Sequence, residues 1–429
     1  MKIFIKFTSL CLFTFCLAFN LSAQEKPKNP LNGLEFRNIG PAMTSGRIAD
    51  IAIHPTNENI WYVAVGSGGV WKTINAGTTW KPIFDKQAVY STGDVTIDPN
   101  NSDIIWVGTG ENNGGRHISF GDGVYKSIDG GKTWKNMGLK KSERISDIII
   151  HPKNSNIVWV SAQGPLWTSG GERGLYKTTD GGKTWKQVLK TEDEWTGVTS
   201  LLIDPRNPNK LYAATWSRQR TIAAYVGTGA GAGIHTSDDG GETWTKLKSG
   251  LPKGNMGKIG MAISPMNPDV LYATIETDNR KGGFYRSENR GASWQEMSDE
   301  VGGGTGPHYY QEIFADPHQF DRVYIASNYS KVSNDGGKTW TPIKAKRKHV
   351  DDHAFAFHPT DPDFVLIGSD GGIYASHDRM ATFRFMANLP LTQFYKVAPD
   401  DSLPFYNVYA GAQDNSTQGG PSRTDRKEG

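Results

Sequence analysis

The sequence predicts an all-β fold: a β-propeller of seven four-stranded blades, followed by the start of an eighth blade or second module. Three observations carry this. One motif, with its parts in a fixed order, recurs seven times along the chain. Its period suits a single propeller blade. The composition, with 50 Gly, 13 Trp and 16 Tyr and few helix-forming runs, suits short strands punctuated by glycine.

Each repeat opens with an apolar segment that ends in His-Pro, Asp-Pro or Ser-Pro. The prolines are Pro55, Pro99, Pro152, Pro205, Pro265, Pro317 and Pro359. Seven residues after each stands an apolar and usually aromatic residue: Tyr62, Trp106, Trp159, Tyr212, Tyr272, Tyr324 and Leu366. A third segment leads into a turn of the form Ser/Thr-x-Asp/Asn-x-Gly-x-Thr/Ser-Trp. The turns run Thr73–Trp80, Ser127–Trp134, Thr178–Trp185, Ser237–Trp244, Ser287–Trp294 and Ser333–Trp340, with a degraded copy at Ser376–Phe383.

The turn has a physical reading. The Asp or Asn oxygen accepts backbone N–H groups within the turn, and Gly takes the positive φ. The β-branched Thr re-enters a strand, and Trp carries apolar area into the core. The seventh copy has Met380 where Gly belongs, which predicts a different turn or strain there. Repeats of 43 to 59 residues hold about four strands each, and a blade that cannot bury both faces must stack on its neighbours. The expected domains are a signal peptide over 1–23, the seven-bladed propeller over 24–390, and a truncated eighth blade or second propeller over 391–429.

The signal peptide rests on Lys2 and Lys6, an apolar run from Leu10 to Leu21 and the small exit Leu21-Ser22-Ala23. Cys11 and Cys16 lie inside it, so the mature chain has no thiol or disulfide chemistry. Removing Lys2 and Lys6 from the 47 basic residues leaves 45 against 44 acidic, a balance that steers toward neither nucleic acid nor an anionic membrane. No later stretch is apolar enough to span a bilayer. The expected location is periplasmic, cell-surface or extracellular.

In a blade, the loop between strands two and three opens on the same rim as the connection to the next blade, and the turns described above lie on the other. Function favours such loops. This places on one rim Arg47, Glu111 to His117 with Arg116, Arg144, Arg173, and Arg218 and Arg220 within the longest insertion. Tyr309, Tyr310, His349, His353, Asp370, Gln413 and Asp414 join them. Such a set suits a glycan or peptide ligand.

His349, Asp351 and His353 share one face of an extended strand, with Asp352 on the other. Two imidazoles and a carboxylate are zinc-type ligands, but the spacing of no known site is met, and no metal or cofactor is expected. Asp50, Asp94, Asp147 and Glu312 occupy one repeated position, five residues before the proline, which reads as architecture within the blade.

At these turns the sequence resembles the BNR or Asp-box superfamily, which includes sialidases, sortilin ectodomains and two-propeller xyloglucanases. The stretches Gly40–Arg47, Gly66–Trp71, Gly110–Asn112, His349–His353 and Gln413–Asn415 resemble a group of exported bacterial proteins labelled sortilin-like or glycosyl hydrolase. That group is longer than this chain, so the resemblance implies missing C-terminal modules. The resemblance to two-propeller xyloglucanases implies a catalytic Asp in the first blade, just before a Gly-Gly at the end of the second strand. Here that stretch is Val65-Gly66-Ser67-Gly68-Gly69, without an acid.

Two functions follow as expectations. The first is a secreted propeller that binds a glycan, peptide or protein on the rim opposite the Asp boxes. The second is a glycoside hydrolase acting on a plant-type or host polysaccharide, with Asp351, Asp352 and Asp370 as candidate acids.

Overall fold

A computed structural model describes residues 46–115, 118–278, 281–301, 311–344 and 346–423. The segment expected to be a signal peptide, 1–23, lies outside them. Among the described residues there is no α-helix, and seven four-stranded antiparallel sheets follow one another along the chain. The first comprises Ile48–Ile53, Trp61–Val65, Gly69–Thr73 and Lys81–Pro82, paired in that order. The other six repeat this meander, with first strands at Thr92–Ile97, Ile145–His151, Thr196–Asp204, Met256–Ile263, Glu312–Ala315 and Asp352–Phe357. The fourth sheet carries the long insertion, where Gln219–Arg220 pairs with Tyr225–Val226 as a small ribbon.

Each sheet is apolar on both faces, and its neighbours cover it. Tyr62 and Ala64 of the first sheet share a core with Val95, Ile105 and Val107 of the second. Ile48, Trp61 and Val63 of the first share another with Ala354, Leu366 and Ile373 of the seventh, so the last four-stranded sheet packs on the first.

The aromatic residue seven places after the proline forms the staple between sheets. All seven such positions are buried. Tyr62 Oη donates to Gly130 O (3.2 Å), Trp159 Nε1 to Gly240 O (3.1 Å) and Tyr212 Oη to Arg290 O (3.0 Å), each acceptor lying in the Asp-box turn of the next sheet. The box tryptophans reach back: Trp134 Nε1 donates to Ile83 O (2.8 Å) and Trp185 Nε1 to Met137 O (2.7 Å).

The turn itself is a closed set of hydrogen bonds. Asp129 Oδ1 accepts from Ser127 Oγ and from the N–H groups of Lys132 and Thr133, while Ser127 Oγ accepts from Gly131 N. Gly131 and Gly182 have φ of 88° and 94°. A Cβ on Gly182 would meet the Trp106 ring at 2.6 Å, so glycine is required for contact as well as for φ.

The degraded seventh copy keeps the same bonds, with Met380 N donating to Ser376 Oγ (2.8 Å) and Thr382 N to Asp378 Oδ1 (2.8 Å). It does so with Arg379 and Met380 at φ of 55° and 68°. The outcome is therefore backbone strain in an unchanged turn; burial of the Met380 side chain in the core offsets it.

After the seventh sheet, Phe394–Pro399, Asn407–Ala412 and Thr417–Pro421 form a three-stranded sheet. The third strand falls where the sequence reads as a polar tail. Its Thr, Gln and Gly residues lack apolar alternation, and backbone pairing alone makes it a strand.

Ser127→Ala leaves the buried Gly131 N–H without its acceptor and is expected to cost about 1–3 kcal/mol in denaturant unfolding. Ser127→Thr is expected to be nearly neutral, because Thr73 and Thr178 hold the same position in two other boxes.

Candidate functional site

The loops between strands two and three and those between sheets meet at one end of the molecule, and Glu111, His353, Asp370 and Gln413 gather there around Arg47. This residue precedes the first strand, is buried, and joins three sheets. Its Nη1 lies 2.6 Å from Glu111 Oε2 of the second sheet's loop. Nε and Nη2 lie 2.7 and 3.1 Å from the two oxygens of Asp370 in the seventh. His353 Nε2 (2.9 Å) and Gln413 Nε2 (3.0 Å) complete the shell of Asp370. Burial pushes the Asp370 carboxyl up, but Arg47 and His353 beside it hold it well below the usual carboxylate range. Asp370 is thus an ionised partner of a buried cation, unsuited to donating a proton.

The other candidate acids are also held. Asp352 is buried, 2.5 Å from Lys348 Nζ and 2.6 Å from Ser330 Oγ. Burial raises its pKa despite the lysine. Asp351, at φ 65°, accepts from Asn328 Nδ2 at 2.5 Å.

Of the expected shared face, His349 Nδ1 and Asp351 Oδ2 do approach, at 3.9 Å, but His353 leaves it. A bulge places His353 as an extra residue between Asp352 and Ala354, and it turns to Asp370. His349 Nδ1 meets the carbonyl of Val350. Strand alternation fails where a bulge re-aims a side chain. Asp414 is exposed. Arg116, His117, Tyr309 and Tyr310 lie outside the described residues.

Arg173, Arg218 and Arg220 are buried rather than presented at the surface. Arg173 donates to carbonyls of its own loop, Gln163 O (2.7 Å) and Gly170 O (2.8 Å) among them, and to Trp195 O (3.1 Å). Burial brings its pKa down to about 10. Arg218 Nη1 donates to Asn113 O (2.8 Å) and Arg220 Nε to Gly114 O (2.9 Å). Lys258 Nζ, from the fifth sheet, donates to Asn112 O (3.1 Å). Residues 111–115 thereby cross from the second sheet toward the fourth and fifth as a strap.

Beside the strap is a cavity of about 130 Å³, lined by Asp50, Asp94, Asp147, Glu312 and Glu111 among others. The repeated acids join one sheet to the next: Asp50 Oδ2 accepts from Val95 N (3.0 Å) and Asp147 Oδ2 from Leu201 N (2.9 Å). They also repel one another in a desolvated space. Burial, then Glu312, pushes Asp147 up to about 8. Burial likewise raises Asp50 to about 6, against its backbone hydrogen bonds and with Glu312 adding to the rise. Asp94 is raised by burial and by both of these neighbours. Lys258, 2.7 Å from Glu312, is one counter-charge.

The same rim exposes four large aromatics that the sequence reading passed over: Tyr90, Phe120, Trp167 and Tyr329. The signal was present, because each lies in a loop opening on this end, where no neighbouring sheet demands an apolar side chain. At the Asp-box end Phe320 is exposed.

The family described as Sortilin, neurotensin receptor 3 matches residues 122–279 and 282–418. The chain belongs to the Sortilin-Vps10 family. This Sortilin-Vps10 chain is also 24% identical over 380 residues to a xyloglucanase of Hypocrea jecorina, covering 78% of itself and 42% of that relative. It thus spans less than half the length of the curated enzyme.

Among solved structures, a GH74 enzyme of Niastella koreensis superposes with a TM-score of 0.63 at 17% identity, over 89% of this chain and 59% of that one. A structure of YCF48 bound to D1 peptide matches with a TM-score of 0.50 at 16% identity, over 80% and 98%. At these identities the structural likeness speaks for the fold alone.

The folded chain holds the Asp147 proton between its ordinary pKa of 3.8 and about 8, where the unfolded chain has lost it. Stability from this group is full below about pH 4 and falls as pH rises toward about 8. Asp147→Asn, which can still accept from Leu201 N, is expected to flatten that fall. In denaturant titrations across this range, the variant gains on the parent at about pH 9 and not at about pH 4.

Proposed function

We propose that this chain is an exported seven-bladed propeller, with the start of a further module after residue 390, that binds a glycan on the rim opposite the Asp boxes. The observation that carries the reading is the set of exposed aromatics on that rim, Tyr90, Phe120, Trp167 and Tyr329. A flat aromatic face stacks on the C–H face of a sugar ring. The ion-paired state of Asp370 and Asp352 supports binding over hydrolysis, since neither is poised beside an open groove as an acid–nucleophile pair. Membership of the Sortilin-Vps10 family, described by a receptor name, is consistent with a ligand-binding role.

Glycoside hydrolysis is the second reading, favoured by the identity with a curated xyloglucanase over 78% of this chain. The first sheet's strand end, Val65–Gly69, carries no acid, which weighs against it.

The two are separated by recording retention and reducing-end release together on xyloglucan, mixed β-glucans and pectic polysaccharides. Retention without release is the expected result. Trp167→Ala and Tyr329→Ala are each expected to weaken retention roughly 3- to 10-fold, as for the loss of one stacking contact. Ile128→Ala, at the opposite end, leaves it unchanged. Release of reducing ends that disappears in Asp370→Asn or Asp352→Asn would establish a hydrolase instead.

A further inference from the structure

The strap formed by residues 111–115 is held in an unusual way. Three consecutive backbone carbonyls, of Asn112, Asn113 and Gly114, each receive a hydrogen bond from a different buried cation, Lys258, Arg218 and Arg220 respectively. Lys258 also has the Glu312 carboxylate. Arg218 has none among the described residues: its other hydrogen-bond partner is Gly164 O at 3.5 Å, and its guanidinium lies 5.0 Å from the Trp216 ring. Burial first, then Arg144 and Arg173, disfavours its charge, against smaller opposing contributions from Tyr225 and Glu143, neither of which bonds it. A buried guanidinium set against neutral carbonyls keeps most of its desolvation cost, whereas a carboxylate offers a charge-assisted bond about twice as strong and matches the fork of donors.

The strap is also built to let go. Asn112, Asn113, Gly114 and Gly115 bring no apolar side chain to any core, and the glycine pair tolerates a new path. Its side-chain ties are polar: Gln163 Nε2 and Thr199 Oγ1 to Asn112 Oδ1, the latter at 3.3 Å, and Asn113 Nδ2 to Glu111 Oε2 at 3.2 Å. Glu111 at its base is held in turn by Arg47.

We infer that Arg218, Arg220 and Lys258 form a subsite for the carboxylate of an acidic sugar, which residues 112–114 occupy with their own carbonyls until a ligand displaces them. The inference rests on the glycan reading of the rim, whose exposed aromatics stand at the same end. It adds a uronic-acid ligand and a built-in competitor to that reading.

The test uses the absence of cysteine from residue 24 onward. Asn112→Cys together with Thr199→Cys places two thiols where side chains now touch, so that oxidation locks the strap and reductant frees it. Binding of trigalacturonate and of a neutral xyloglucan oligosaccharide is measured by calorimetry on the exported chain from residue 24 onward. The parent and the reduced double variant are expected to bind trigalacturonate, the oxidised form at least about tenfold more weakly, with recovery on reduction. The neutral oligosaccharide is expected to be indifferent to the lock. Arg218→Gln is expected to lose trigalacturonate binding.

Equal binding of trigalacturonate by the locked and free forms would overturn displacement of the strap. Capture of a free-acid peptide in place of trigalacturonate would overturn the assignment to an acidic sugar. Loss of trigalacturonate alone, with the neutral sugar bound, sinks this inference and spares the reading it rests on. Failure of every form to bind either sugar sinks both.

Discussion

A four-stranded sheet that is apolar on both faces has no stable existence in water, and this constraint organises the whole molecule. Each sheet must find a neighbour on either side, and the seventh meets its need by packing on the first. The staple is specific as well as apolar. At three of the seven positions, the buried aromatic on the second strand reaches the Asp-box turn of the next sheet and bonds to a carbonyl that the turn presents, as Tyr62 does with Gly130. The box carboxylate therefore works at a distance from any ligand. It folds the turn, the turn offers the carbonyl, and the carbonyl takes the neighbour's phenol or indole.

Arg47 applies the same logic with charge. It stands at the start of the first sheet and holds Asp370 of the seventh and Glu111 of the second, so the junction of the ring and the rim of the candidate site share one guanidinium. Breaking it would leave two buried carboxylates without their main partner, which is far more costly than losing an exposed pair. Gln413 brings the final three-stranded sheet to the same carboxylate.

Charge is also sorted across the site. The repeated acids face the central cavity and share one another's fields, so that Asp147 is pushed up to about 8. The arginines of the third and fourth sheets lie buried under the rim. Between the two sets runs a strap whose backbone dipoles meet the cations and whose Glu111 meets Arg47. The repeat supplies the acids; an insertion, loops and the first strand of the fifth sheet supply the cations. The site is thus the meeting of a regular element with irregular ones.

Spacing in the sequence was enough to read the repeat, the four-stranded sheets, the buried aromatics and the two ends of the molecule, because these depend on local turn chemistry and on a period imposed by stacking. Arg47, Asp370, His353 and Gln413 could be placed on one rim for the same reason. Their union could not be read, since they lie up to 366 residues apart and meet only when the seventh sheet closes on the first.

The bulge that turns His353 toward Asp370, and the carbonyls that absorb Arg173 and Arg218, also escape a one-dimensional pattern. A side chain's type shows what it can bond to, and only its neighbours in space decide what it does bond to. The sequence by itself determined the blade and its order along the chain. The tertiary structure decided which of the polar rim residues are spent on holding the fold and which aromatics stay exposed, because burial and pairing are set by chain segments that local sequence does not connect.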